Sequence, residues 1–410
     1  MAPLYNDKLR SAIEGQFIVV FHNEASSAEI EAAADKVRAA GGHILKRYFK
    51  AVLGFSASVP AEAAPAVRES IRALTGVAWV EVDQTVKAQS VQRNPPHGLD
   101  RIDHRLLPLD KRYAYTQTGK GVNVYVIDSG IFIEHKDFGG RAFAAYPPPP
   151  ANSSDLAGHG THVAGTIGGT TFGVAKDVHL FAVRVLDAAA QGDVSDIVAG
   201  IDWVAANAVP PAVANVSIEL NPSKTVDTAV GNSIAQGITY IVAAGNGGVD
   251  ACSVSPARVR EAITVGAAEV ISLLDSRVIS QSNVGTCVDL FAPGLDIESA
   301  WIGSSKTNKK LLDGTSTAAA HVSGVAALYL ENHPKALPMA VWSGIHSADN
   351  VSGTPNWTGI SDLGAGSPNE LLHWGPQDDG TNDGDSQKVR KQAKHRRKHA
   401  TRHPSIREVH

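Results

Sequence analysis

The chain has 410 residues, 43% of them hydrophobic, with 38 glycines and a formal net charge of −4. This length can bury a large core and hold more than one domain. The composition suits a globular α/β protein, and the slight acidity carries no nucleic-acid signature. No apolar run approaches the ~20 residues of a membrane span, so no membrane partner is expected. Residues Met1–Lys8 lack the apolar core of a secretory signal, which leaves the compartment open.

In chain order, Phe17–Phe21 reads as a strand. Residues 26–40 read as a helix with Ser26 or Ser27 as cap and Ile30, Ala33, Ala34 and Val37 facing inward. Strand-like alternation follows around Tyr48–Phe55, then a helix over 64–74 and a strand over Val77–Val82. The order β-α-β-β-α-β is that of a small α+β, ferredoxin-like domain, which by itself says nothing about role. Asp83–Pro96 lacks periodicity and reads as an exposed linker open to cleavage.

From Gly121 strands and helices alternate, as in a doubly wound, mostly parallel sheet. Strands are expected at 122–127, 179–184, 213–218, 238–243 and 262–266, and helices at 159–169, 194–207, 226–236 and 315–332. Pro147–Pro150 should be extended and exposed. From Gly375 the composition changes to Asp378, Asp379, Asp383 and Asp385, then a run of Lys, Arg and His from Lys388 to Arg407. Residues 376–410 therefore read as a disordered basic tail. A solvated tail and an electrostatic contact with an anionic partner, including an import-like patch at Arg396–Lys398, both stay open.

Three stretches carry the chemistry. Leu311–Tyr329 reads as a Gly-Thr-Ser turn opening a helix of small residues, which must be buried and closely packed. Ser316 would stand at the helix N-terminus, where free N–H groups favour negative charge, although an ordinary N-cap serine looks the same. Val124–Ile127 is an apolar run ending in Asp128, a buried strand with a carboxylate at its end. In Gly158–Gly165, His159 opens a helix of small residues, with His162 a competitor nearby. A nucleophilic serine needs a base, and the base needs a carboxylate to fix its tautomer.

With Asp128-Ser129-Gly130, His159-Gly160-Thr161-His162, Ala243-Ala244-Gly245-Asn246 and Gly314-Thr315-Ser316 in this order, residues 92–373 resemble the subtilisin-like serine endopeptidases, closest to the proteinase K-like branch. The resemblance implies a catalytic Asp128, His159 and Ser316, an oxyanion donor in Asn246, and protein or peptide substrates. Substrate would add as a strand along Ala190, Gln191 and Gly192 on one side and Ser217, Ile218 and Glu219 on the other. The N-terminal domain, residues 13–89, is similar to an inhibitor propeptide removed near Ser90, ahead of a peptidase domain spanning 90–375. The resemblance further implies a Cys252–Cys287 disulfide, against the alternative of two buried thiols. It also implies an extracellular monomer, no cofactor for catalysis, and a structural calcium at Asp289 with the carbonyls of Arg260 and Ala262. Asn152, Asn350 and Asn356 head N-x-S/T triplets that matter only in a secreted chain.

Three positions depart from the family pattern: Thr317 for Met, Ala320 for Pro, and Ser217-Ile218-Glu219-Leu220 for Ser-Leu-Gly-Gly. Glu219 puts a carboxylate at the edge of the expected primary pocket, where it either favours a basic side chain or narrows the pocket. Two other functions stay open: an impaired homologue that only binds, and nucleic-acid binding through the basic tail.

Overall fold

The computed structural model describes residues 1–7, 12–84, 90–104, 109–147, 153–272, 275–349 and 360–375. The basic tail, Asn152, Asn350 and Asn356 lie outside the described residues. The chain divides into two compact units, Met1–Ala88 and Gln89–His410.

The first unit runs β1 (Leu4–Tyr5), β2 (Ala12–Phe21), α1 (Ser27–Ala39), β3 (His43–Tyr48), β4 (Leu53–Ser58), α2 (Ala64–Arg72) and β5 (Val77–Gln84). Its sheet has the order β1-β5-β2-β4-β3, so the expected β-α-β-β-α-β run from β2 to β5 is present and β1 adds an edge strand. Ser26 caps α1 in a capping box with Glu29, which satisfies donors that the first helical turn leaves unpaired. Ile30, Ala33, Ala34 and Val37 pack inward against Phe17, Val19 and Phe55. The alternation around Tyr48–Phe55 spans the two strands that the expected order places between the helices. The chain reverses between β3 and β4 there, leaving Phe49 and Val52 exposed, because apolar spacing alone does not mark a turn that lacks proline or a Gly-Asn pair.

The second unit opens with β6 (Ser90–Arg93), α3 (His97–Ile102) and β7 (Arg112–Tyr115), with β6 and β7 antiparallel. Then come β8 (Asn123–Asp128), β9 (Ala142–Tyr146), α4 (His159–Gly168), β10 (His179–Arg184), α5 (Val194–Asn207), β11 (Ala212–Val216), α6 (Lys224–Ala235), β12 (Thr239–Ala243) and β13 (Ile263–Ser272). The chain closes with β14 (Asp275–Val278), β15 (Leu290–Pro293), β16 (Ile297–Ala300), β17 (Lys309–Leu312), α7 (Thr315–Asn332), α8 (Pro338–Asp349) and β18 (Ile360–Ser361). The large sheet has the order β18-β14-β13-β12-β11-β8-β10-β9, with β15 also on β13. Strands β9 to β13 and β8 run parallel, and β14 is antiparallel.

Both faces of this sheet are covered, which is why its strands read as unbroken apolar runs. Val124 and Val126 of β8 point to the layer holding α4 and α7, while Tyr125 and Ile127 point to α5 and α6. Helix α7 is central because its small residues permit close approach. Ala318, Ala319, Ala320, Val322 and Val325 are fully buried, and a Cβ at Gly324 would overlap Val174. In the second unit the observed boundaries match the expected ones to within one or two residues except at β13, while in the first unit β2 starts five residues before the expected Phe17. The strand expected over 213–218 runs from Ala212 and leaves its ladder after Val216, and the one expected over 262–266 continues to Ser272. Cys252 and Cys287 form a disulfide, joining the turn after β12 to the segment before β15.

Candidate active site

In open parallel sheets the functional groups collect at the carboxyl ends of strands where the winding reverses. Strand β8 is that point here, flanked by β10 on one side and β11 on the other. Asp128 is its last residue and is fully buried. His159 opens α4, and its Nδ1 lies 2.8 and 2.9 Å from the two Asp128 carboxylate oxygens. Asp128 Oδ1 also accepts the Ser129 N–H at 2.7 Å, which fixes the carboxylate. A buried carboxylate so placed requires the proton on Nδ1, leaving Nε2 as the acceptor of the neutral ring. Burial disfavours a charge on His159, but Asp128 beside it, with Asp155 further off, outweighs burial and holds its pKa above the ordinary value.

His162, the competitor, turns away. Its Nε2 donates to the carbonyls of Ile297 (2.9 Å) and Lys310 (3.1 Å), and burial pushes its pKa down to about 4. It is a buried neutral histidine of the α4 core.

Val216 of β11 pairs in register with Ile127 of β8, so Ser217 and Asp128 leave neighbouring strand ends. Ser217 meets the head of α7. Its Oγ donates to the Ser316 carbonyl at 3.2 Å, and Ser316 Oγ donates to the Ser217 carbonyl at 3.4 Å. Ser316 Oγ and His159 are not hydrogen-bonded among the described residues. At 3.4 Å the hydroxyl is weakly held, so little opposes its re-aiming when the site is filled. A thread of polar bonds supports this contact: Ser323 Oγ donates to Asn215 Oδ1 (2.8 Å), and Asn215 Nδ2 donates to Ser217 Oγ (2.9 Å).

Asn246 follows β12 and joins the same cluster. Its Oδ1 accepts the Thr315 N–H at 2.9 Å and Thr315 Oγ1 at 3.2 Å, which fixes the amide orientation. Its Nδ2 carries no hydrogen bond among the described residues. The Ser316 N–H, in the first turn of α7, has no intrahelical partner either. An unspent amide donor and a helix N-terminus thus stand beside the Ser316 hydroxyl, a setting that stabilises an oxyanion.

The remaining expected contacts are mixed. Gln191 spends both backbone groups inside a turn, donating to Asp187 Oδ1 (3.0 Å) and accepting from the Asp187 N–H (2.7 Å). Ala190 stands in the left-handed region at φ 57°, and Gly192 follows at the exposed edge. Ile218 is buried, while Glu219 is exposed and accepts the Asn246 N–H at 2.7 Å.

Two features were absent from the reading of the sequence. Asp155 is buried and accepts five hydrogen bonds: from Ser129 Oγ, the N–H groups of Ala157, Gly158 and Thr161, and Thr161 Oγ1. The N-cap of α4 is Gly158, which has no side chain, so Asp155 serves as the helix cap from three residues upstream. An acidic residue just before a helix start was the available signal. The second is Asn215, whose signal was a polar residue inside the apolar run of β11.

Among the described residues, Asp100, Asp103 and His104 are grouped closely enough to share a cation. Their atoms already serve one another and the chain. Asp100 accepts the Lys111 N–H, Asp103 accepts the Ala114 N–H, and His104 Nδ1 lies 3.0 Å from Asp103, which raises the His104 pKa. Among the described residues no helix is long and apolar enough to cross a membrane.

A family model described as the subtilase family matches residues 119–356. The chain is 44% identical to an extracellular serine proteinase of Thermus sp. over 396 residues, covering 91% of this chain and 92% of that protein. It is 48% identical to alkaline serine exoprotease A of Vibrio alginolyticus over 265 residues, covering 64% of this chain and 48% of that protein. The crystal structure of a cold adapted subtilisin-like serine proteinase matches with a TM-score of 0.62 and 45% identity, covering 68% of this chain and 98% of that one.

Proposed function

The chain belongs to the subtilase family of serine peptidases, and from that premise we propose that it is an endopeptidase in which Asp128, His159 and Ser316 act as one unit. Ser316 Oγ attacks the substrate carbonyl while His159 Nε2 takes its proton. Asp128 holds the ring through Nδ1 and stabilises its charged form. The carbonyl oxygen, turned anionic, is met by the Ser316 N–H and Asn246 Nδ2. His159 then protonates the leaving amine, and water releases the acyl group by the same route in reverse. The observation that carries this reading is the buried Asp128 carboxylate on His159 Nδ1 at 2.8 Å, with Ser316 held at the neighbouring strand end.

Substrate binds as an extended strand between Ala190–Gly192 and Ser217–Glu219, with the Ala190 carbonyl and the Gly192 backbone supplying the groups on the first side, since the Ala190 N–H is spent on the Asp187 carbonyl. Residues 13–89 are an inhibitor-like propeptide and residues 90–375 the peptidase. The division of the chain between Ala88 and Gln89, next to Ser90, supports that reading. The enzyme works outside the cell as a monomer on protein substrates, in keeping with the extracellular designation of the Thermus relative. A structural calcium at Asp289, with the carbonyls of Arg260 and Ala262, belongs to the same proposal. Asp289 is burdened by burial, which raises its pKa to about 6, and among the described residues only its Oδ2 is engaged, by the Thr264 N–H at 2.8 Å. Bound there, the ion would neutralise that carboxylate; no step of the reaction runs through it.

Two measurements test the proposal. A fluorophosphonate probe should label the mature wild-type protein and not Ser316→Ala, since only an activated serine reacts. Incubation of the purified chain should yield a cut near Ser90 that the same variant lacks. A folded mature protein that is never labelled would instead be the impaired homologue that only binds.

A further inference from the structure

Glu219 belongs to the proposed substrate-lining segment, but the proposed mechanism gives its carboxylate no role. It follows β11 and is exposed, yet its carboxylate has a fixed seat. Its Oε2 accepts the Asn246 N–H at 2.7 Å, and its carboxyl carbon lies 2.7 Å from where a Cβ on Gly245 would stand. Its Oε1 lies 3.0 Å from that same point and 3.7 Å from the corresponding point on Gly247. The side chain therefore spans from the segment after β11 to the turn after β12. Glu219 Oε1 accepts no hydrogen bond among the described residues, so one oxygen keeps its lone pairs unspent.

The two segments that Glu219 bridges are the ones that bracket Ser316. Ser217 holds it through two hydrogen bonds, and Asn246 holds its neighbour Thr315. In the proposed reaction the attacked carbonyl sits on Ser316 with its oxygen toward Asn246. The side chain of the residue that supplies this carbonyl branches one bond away. It must run between the same two segments and end against the Glu219 carboxylate.

We infer that Glu219 is a specificity-determining residue that selects lysine or arginine as the residue whose carbonyl is attacked. The cation pairs with Oε1 while Oε2 stays on the Asn246 N–H, so binding breaks no existing bond. A large apolar side chain must instead displace the carboxylate from its donor or bury it unpaired, which is unfavourable. A glutamate in the same place is repelled. This inference rests on the peptidase reading above.

The test is kcat/KM on peptides that differ only in lysine, leucine or glutamate at that position, for wild type and for Glu219→Gln and Glu219→Asp. An ion pair this exposed is worth up to about fivefold, so wild type should favour lysine over leucine by a few-fold and glutamate least. Glu219→Gln should bring the three substrates toward parity, while Glu219→Asp should keep part of the lysine preference. The fluorophosphonate probe is applied in parallel. Normal labelling with no lysine preference in wild type, or with the preference intact in Glu219→Gln, overturns this inference and leaves the peptidase reading standing. Absence of labelling in folded wild type overturns both.

Discussion

Replacing Asp155 by Asn isolates what one buried carboxylate does for the head of α4. Three donors converge on its Oδ1 (Ser129 Oγ at 2.8 Å, Ala157 N at 3.0 Å, Gly158 N at 2.7 Å) and two on its Oδ2 (Thr161 N at 2.8 Å, Thr161 Oγ1 at 2.6 Å). An asparagine amide must turn its NH2 toward one of these groups. The cheaper orientation faces Thr161, whose hydroxyl can rotate to accept while its N–H is left unpaired. An unpaired buried N–H costs about 1–3 kcal/mol, and three bonds that lose their ionic acceptor weaken by about 0.5 kcal/mol each. The expected destabilisation is about 3 kcal/mol, read from urea unfolding on a Ser316→Ala background that cannot digest itself. The same change should move the pH profile. His159 must be neutral to accept a proton, so kcat/KM rises with pH through its pKa, which Asp128 and Asp155 hold above the ordinary value. Without the Asp155 charge that pKa falls, and the acidic limb moves to lower pH even as kcat drops. A loss of stability under 1 kcal/mol together with an unmoved limb would refute the role given to Asp155.

Asn246→Ala should lower kcat by about 10²–10³ with little change in KM, the cost known for such a donor in subtilisin, the type case of this chemistry; an equal rise in KM would mean ground-state binding instead. His162 and His321 are buried and held near pKa 4, whereas in the unfolded chain they take up protons near 6.5. The unfolded state therefore binds protons first, and stability should fall as pH drops from about 6.5 to 4, by up to about 3 kcal/mol per histidine. A urea midpoint that stays flat from pH 7 to 4.5 would contradict this. The disulfide joins residues 35 apart, so Cys252→Ser with Cys287→Ser should cost about 3–4 kcal/mol on the chain-entropy account; an unchanged melting temperature would show that this loop is already constrained.

Much of this molecule was legible in the chain itself. The unbroken apolar run at β8 marked a strand buried on both faces, and the small residues of α7 marked a helix at the centre of the fold. Asp128, His159 and Ser316 stood out because each follows or opens such an element, and the structure gives Asp128 and His159 a direct bond. The two strands that the β-α-β-β-α-β order requires between α1 and α2 are present, but the reversal between them, at Phe49–Val52, carries no turn residue of its own and could not be placed from apolar spacing.

Local pattern settles which way a side chain faces; it does not settle which distant group the side chain meets. Ser217 and Ser316 lie 99 residues apart and Asn246 and Thr315 69 apart, so only the closed fold brings them into contact. The same holds for Asp155, where five donors chose one carboxylate, and for Glu219, whose span to Asn246 exists only because β11 and β12 lie side by side. The sequence determined the elements and the reactive groups at their ends. The tertiary structure decided their partners, because hydrogen bonds depend on distance and angle in space, and these become definite only once the helices close on the sheet.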